Sequence, residues 1–186
     1  MEGPVMTFKK MKNDQILNSG KYLRLVIKDG WEYVERVNCS GAVIIVARTD
    51  DNKLILVEQF RRPVQKFTIG FPAGLVGDDR GQRGESVVAA AKRELIEETG
   101  YSAARIKVLF KGPVSSGMCR DMVTIVHAEG LKKVGSGGGI DDHEQIKVHE
   151  VPLKGIDAWL KAQVKKGRLV GPNIFAGLYF LEHWVK

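Results

Sequence analysis

The sequence predicts a mixed α/β (α+β) domain, and three observations carry that prediction. Apolar runs of strand type crowd the first 71 residues. An alanine-rich segment follows at 86–99, ending at a glycine. Strand-like runs then give way to two further helical stretches near the C-terminus. At 186 residues and 44% hydrophobic, the chain is long enough for one packed core.

Taken in order, residues 21–28 (KYLRLVIK) read as a strand, Asp29-Gly30 as a hairpin turn, and 31–37 alternate with period two. A hairpin alone buries too little to stand in water. Residues 1–40 are therefore expected to form a small N-terminal antiparallel β-hairpin subdomain packed on the remainder, 41–186. The continuous apolar run at 41–47 predicts a buried strand. Asp50-Asp51-Asn52 makes a turn, and 53–60 returns as a strand. Arg61-Arg62-Pro63-Val64 leads to a strand at 67–71 and then to Pro72-Ala73-Gly74. Further strands are expected at 106–112, 122–128 and 146–151, and helices at 155–166 and 173–184, the last largely buried. Residues 135–139 (GSGGG) are too glycine-rich for regular structure and are expected to be mobile.

The organising stretch is 85–101, ESVVAAAKRELIEETGY. Ser86 is placed to cap a helix and Gly100 to stop it. On that helix Val88, Ala91 and Leu95 share a face suited to a sheet. Glu94, Glu97 and Glu98 lie at i, i+3 and i+4, so their carboxylates project from one side. Like charges so close repel, and anionic side chains late in a helix oppose its dipole. Residue chemistry alone leaves two readings open. One is a solvated acidic face with Arg93 pairing Glu97; the other is a site for a hard divalent cation, which prefers oxygen ligands.

Composition narrows the function classes. The formal charge of +7 is spread without a long basic run or interleaved aromatics, so no nucleic-acid partner is expected. A basic surface that attracts small polyanions fits the same charge. Cys39 and Cys119 lack metal-ligand spacing and are expected as reduced thiols in a cytoplasmic protein. The N-terminal stretch carries no apolar leader core, and no run is long enough to cross a bilayer, so no membrane association is expected. His127, His143, His149 and His183 show no ligand spacing and read as structural or surface residues.

The spacing Glu85, Arg93-Glu94, Leu95, Glu97-Glu98, Gly100, Tyr101 resembles the Nudix box, the signature of hydrolases acting on nucleoside diphosphates linked to another moiety. One position departs. The family has Gly six residues before the first Glu, where this chain has Asp79; Gly74 stands five residues too early. A five-residue insertion within 76–84 accounts for the difference. Glu58-Gln59-Phe60-Arg61 and Phe71-Pro72-Ala73-Gly74 resemble the ADP-ribose pyrophosphatase and nucleoside diphosphate sugar hydrolase branch.

The resemblance implies a Nudix α/β/α sandwich with a mixed β-sheet, and Mg²⁺ (or Mn²⁺) as cofactor. It implies metal ligands at Glu94 and Glu98, with Glu97 a ligand or close to one, and the backbone carbonyl of Ala73. Arg93 would orient the glutamates through Glu85 or Glu97. Glu144, in Glu144-Gln145-Ile146-Lys147-Val148, matches the context of the family's loop base, with Asp142 or Glu94 as alternative bases; a solvated acidic loop of Asp141, Asp142 and Glu144 is the other reading. Arg61, at a strand end, either grips a diphosphate bidentately or is a surface cation. Trp31 or Tyr33 either stacks on a nucleobase or forms an aromatic core pair. Arg120 and Asp121 fall where the branch has a substrate loop. Resembling homodimers use one subunit's N-terminal hairpin to complete the other's pocket.

The implied activity is Mg²⁺-dependent hydrolysis of the pyrophosphate bond of a nucleotide sugar such as ADP-ribose, giving a nucleoside monophosphate and a sugar phosphate. The alternatives are another nucleotide substrate (capped RNA, a dinucleoside polyphosphate or a nucleoside triphosphate) or a non-catalytic ligand sensor or RNA-binding module. Modules of the latter kind tend to lose box glutamates, and this chain keeps them.

Overall fold

Strand β4 (Ala42–Ala47) is buried almost throughout, and its alternation divides the core in two. Val43, Ile45 and Ala47 face one cluster with Ala90, Ala91 and Leu95; Ile44 and Val46 face another with Ile156, Leu160, Ile174 and Phe180. A strand covered on both faces needs the continuous apolar run seen in the sequence. The computed structural model, which describes residues 14–77, 84–139 and 145–185, is therefore an α/β/α sandwich.

One four-stranded sheet has the order β7 (Ala73–Leu75), β4, β9 (Met122–Lys133), β8 (Tyr101–Pro113). It is mixed: β4 runs parallel to β9 and antiparallel to β7. A second has the order β10 (Ile146–Pro152), β5 (Lys53–Arg61), β6 (Lys66–Gly70), β11 (Leu169–Val170), with β11 parallel to β6. Helix α1 (Val87–Thr99) covers one face; α2 (Ile156–Lys165) and α3 (Asn173–His183) cover the other. Among the described residues no helix is long and apolar enough to cross a membrane.

The N-terminal part is a separate antiparallel sheet of β1 (Gln15–Ser19), β2 (Leu23–Lys28) and β3 (Trp31–Arg36). The expected hairpin turn is present, with Asp29 at φ 51° and Gly30 at φ 83°. β1 adds a short, exposed strand that its sequence did not announce. The sheet is tied to the sandwich where the Val34 N–H donates to Met118 O (2.9 Å) and the Arg120 N–H to Val34 O (3.0 Å).

Several expectations are corrected by tertiary packing. The buried stripe of α1 runs through Ala90, Ala91 and Leu95, while Val88 is 37% exposed. Helix α3 is only half buried: Phe175, Tyr179 and Trp184 near its end stay largely exposed. Residues 135–139 lack regular structure but are hydrogen-bonded to the end of α1. Cys39 and Cys119 are not joined in a disulfide.

Glu58 is a buried acid that fastens the second sheet. It accepts from His149 Nε2 (2.8 Å) and Arg168 Nε (2.6 Å), linking β5, β10 and the chain entering β11. Burial alone would raise its pKa, but these two donors outweigh it and hold the carboxyl below its ordinary range. A depressed native pKa contributes stability above the unfolded value, and that stability is lost as pH falls through the native value. The wild-type melting temperature should therefore fall more steeply than that of Glu58→Gln as pH drops below about 4.5. Parallel slopes in a melting series would show that this ion pair does not contribute.

Candidate active site

Helix α1 is fixed at both ends by its own sequence. Ser86 Oγ accepts from the Ala89 N–H (3.2 Å), and Gly100 at φ 71° closes the helix with its N–H on Ile96 O (2.8 Å). The alanines at 90 and 91 bring the helix close to the sheet. That approach sets Glu94 and Glu98 over β7. The Ala73 N–H donates to Glu98 Oε2 at 3.0 Å. Ala73 faces Ile44 in a pair bridged by its neighbour, Ile45 N–H to Pro72 O (2.8 Å). Its own N–H and C=O therefore both point away from β4. Gly74 leaves room for the Glu94 carboxylate: a Cβ there would lie 1.9 Å from Glu94 Cδ, so that side chain would have to move.

Arg93 holds the cluster together. Its Nε and Nη2 reach Glu85 (3.1 and 3.3 Å), and its Nη1 reaches Glu94 (2.8 Å) and Glu97 (3.0 Å). Nη2 also donates to Leu75 O at 3.2 Å. Both partners that the sequence offered for Arg93, Glu85 and Glu97, are thus engaged together. Hydrogen bonding to Glu85, with Glu94 and Glu97 adding, keeps the guanidinium far above any working pH. Burial would raise the Glu85 pKa, but Arg93 and the Gly77 N–H (3.1 Å) hold it low.

Glu94 and Glu98 line a cleft of about 370 Å³ with Arg36, Ala42, Gln59, Arg61, Ala73, Gly74 and Leu75. Two carboxylates and two guanidiniums thus share one space. Arg61 sits there as the last residue of β5. Arg36 and Gln59 were missed as site residues; the signal for Arg36 was only its position at the end of a period-two strand, and that for Gln59 its place in the Glu58-Gln59-Phe60-Arg61 stretch. Arg36 also borders a second cleft of about 380 Å³ containing Arg24, Glu35, Cys39 and Arg120.

Other candidates lie elsewhere. Glu97 turns to Arg93 and does not line the cleft. Arg120 pairs with the buried Glu35 (3.0 Å) and Asp14 (3.4 Å) and borders the second cleft. Asp121 accepts from Arg36 (2.9 Å). Trp31 is 62% exposed, which excludes it from a core pair, and its Nε1–H donates to Gly117 O (3.1 Å). Asp141, Asp142, His143 and Glu144, and most of the expected insertion, lie outside the described residues.

Among the described residues no group of three or more His, Cys, Asp or Glu side chains is arranged as a metal cage. The cleft does fit Mg²⁺ or Mn²⁺ in another way. Mg²⁺ is commonly held by one or two carboxylates together with waters and substrate phosphates. Glu94 and Glu98 supply that pair, all donors are oxygens, and Ala73 presents backbone beside them. Gly74→Ala should displace Glu94 and weaken Mn²⁺ binding on the order of tenfold or more while the fold persists. Isothermal titration with Mn²⁺ checks this, and unchanged affinity would remove Glu94 from the ligand set.

Comparison with known proteins agrees with this geometry. The NUDIX domain family model matches residues 40–168. An ADP-ribose pyrophosphatase of Bacillus subtilis is 33% identical over 152 residues, 78% of this chain and 79% of its own. A methanol dehydrogenase activator of Bacillus methanolicus is 32% identical over 157 residues, covering 81% and 82%. A GDP-mannose pyrophosphatase of Citrobacter koseri is 30% identical over 156 residues, covering 78% and 76%. A solved ADP compounds hydrolase superposes with a TM-score of 0.72 over 97% of both chains at 22% identity, a likeness of fold. With the box glutamates, their arginine and the sandwich that presents them all in place, the chain belongs to the Nudix hydrolase family.

Proposed function

We propose that the protein hydrolyses the pyrophosphate bond of nucleoside diphosphate sugars with Mg²⁺ or Mn²⁺, releasing a nucleoside monophosphate and a sugar phosphate. The observation that carries this reading is the cleft in which Glu94 and Glu98 stand with Arg36 and Arg61. A diphosphate needs cations on its oxygens and, for attack on phosphorus, an activated water. Relatives named for ADP-ribose and for GDP-mannose differ in base and sugar but share the diphosphate link, and that link is the class proposed here.

Glu94, Glu98 and the Ala73 carbonyl would hold the metal, with Glu97 beside them. When bound, the metal supplies charge neutralisation and a more acidic water. Arg61 and Arg36 grip the non-bridging phosphate oxygens; a guanidinium matches them bidentately. Arg93 keeps the carboxylates oriented through its contacts with Glu85, Glu94 and Glu97. Glu144 is the proposed base for the attacking water. Trp31, exposed and away from its own chain's cleft, is proposed to serve the pocket of a second copy in a homodimer, with the 1–40 segment as the exchanging part. Arg120 is proposed to reach substrate only through the second cleft that shares Arg36.

With Mg²⁺, a panel of ADP-ribose, ADP-glucose, UDP-glucose, GDP-mannose, capped RNA and nucleoside triphosphates should show turnover of at least one diphosphate sugar. Turnover confined to capped RNA or triphosphates would replace this reading. Glu98→Gln should lower kcat on the order of 100-fold or more with the fold intact. Glu144→Gln should lower kcat on the order of 100-fold while KM changes little; an equal rise in KM instead would make Glu144 a binding residue.

A further inference from the structure

The last turn of α1 carries Glu97 and Glu98 and no basic residue, at the end of the helix where negative partial charge concentrates. The helix also stops abruptly, because Gly100 turns the chain straight into β8. The carbonyls of Glu97, Glu98 and Thr99 are therefore left without partners inside the helix. All three are met from one short stretch, the last residue of β9 and the glycine run that follows it. The Gly139 N–H donates to Glu97 O (3.1 Å), the Gly138 N–H to Glu98 O (2.9 Å), and Lys133 Nζ to Thr99 O (2.8 Å). The Val134 and Gly135 N–H groups share Gly100 O (2.8 and 3.1 Å).

At two positions the approach leaves no room for a side chain. A Cβ on Gly137 would lie 2.4 Å from the carbonyl carbon of Thr99, and one on Gly100 would lie 2.1 Å from Gly135 O. The glycines in this run thus permit contact. Their effect is to point amide dipoles and an ammonium at the end of a helix that two acidic side chains already make too negative.

We propose that residues 133–139 form a positioning clamp on the acidic helix: Lys133 and the amides of Gly138 and Gly139 hold the turn bearing Glu97 and Glu98, and Gly137 is the position whose missing side chain lets the clamp seat. The proposal rests on the metal-binding role assigned above to those glutamates. If the turn loosens, the Glu98 carboxylate leaves the Ala73 N–H that now orients it. Lys133 and the glycines touch neither substrate nor metal; they act through the glutamates.

Gly137→Ala tests this, with Gly167→Ala as the control. Gly167 has a similarly left-handed φ of 81° with nothing within 4 Å of the added Cβ, so it carries the backbone strain without the clash. Both variants should fold, with Gly137→Ala melting lower because it adds the clash to the strain. Gly137→Ala alone should bind Mn²⁺ more weakly in the substrate-free protein and lose kcat, each by on the order of 10-fold or more. Its KM should stay within about twofold, because the arginines that grip substrate are untouched. Wild-type Mn²⁺ affinity and kcat in a folded Gly137→Ala, or equal losses in Gly167→Ala, would overturn the clamp. Amide exchange in the wild-type protein gives a test that needs no variant: the Gly138 and Gly139 amides should be as protected as the core of α1, and rapid exchange at both would overturn it. Mn²⁺ titration and amide exchange need no turnover, so a wild-type protein inactive on every diphosphate would sink the proposed reaction and leave the clamp standing.

Discussion

The interaction on which the site depends is the grip of one guanidinium on three carboxylates. Arg93 bonds to Glu85 before the helix, to Glu94 and Glu97 on it, and to the Leu75 carbonyl on β7. Without it, Glu94, Glu97 and Glu98 would repel one another on a partly buried arc, and Glu85 would be a buried charge with its cation gone. Removing one partner from such a network costs about 3–5 kcal/mol, far more than an exposed pair contributes. Lysine cannot substitute: its single ammonium lacks the planar fork that reaches several acceptors at once. The same bonds that stabilise the loop, the strand and the helix also aim the acids, so folding and site assembly are one event here.

Compensation of negative charge recurs around the helix in three chemically different forms. Arg93 supplies a full charge on one flank. The Ala73 N–H supplies a dipole to Glu98 on the sheet side. The amides of Gly138 and Gly139, with Lys133, address the helix end. None of the three fills the open side of the cleft, where Glu94 and Glu98 face Arg36 and Arg61. An acidic pair steadied from behind and left open in front is suited to a small cation that arrives with a polyanion.

Local chemistry made part of this legible in the sequence. The mixed α/β character followed from the continuous apolar run at β4 and from the helical stretches, whereas the α/β/α layering was implied only by the family resemblance. Ser86 and Gly100 marked the ends of α1 to the residue, because caps are decided by the chain's immediate neighbours. What was not legible depended on the third dimension. β1, β7 and β11 are strands of 5, 3 and 2 residues whose pairing comes from their neighbours, not from a pattern of their own. Val88 is exposed where the core was expected and Ala90 is buried in its place, while Ala91 and Leu95 keep their expected positions. Arg36 belongs to no motif, and only the fold brings it to the cleft beside Gln59 and Arg61. Trp31 and Arg120, which family context connects with substrate, do not line that cleft in their own chain; they pair with Gly117 and Glu35.

The glycine run is the most instructive divergence, because composition and structure point opposite ways. Glycine is read as freedom, since it leaves the backbone unrestrained in isolation. The same missing Cβ is also what permits two backbones to touch. At 135–139 the chain meets a helix end that offers three carbonyl acceptors and more negative charge than it can bear alone. The hydrogen bonds gained there offset the entropy of ordering a flexible segment, and the close contact excludes any residue with a side chain at Gly137. Whether a glycine-rich stretch is loose or seated is therefore set by the acceptors within its reach. In this fold those acceptors belong to the turn that carries Glu97 and Glu98, which places a segment of low complexity directly behind the proposed metal ligands.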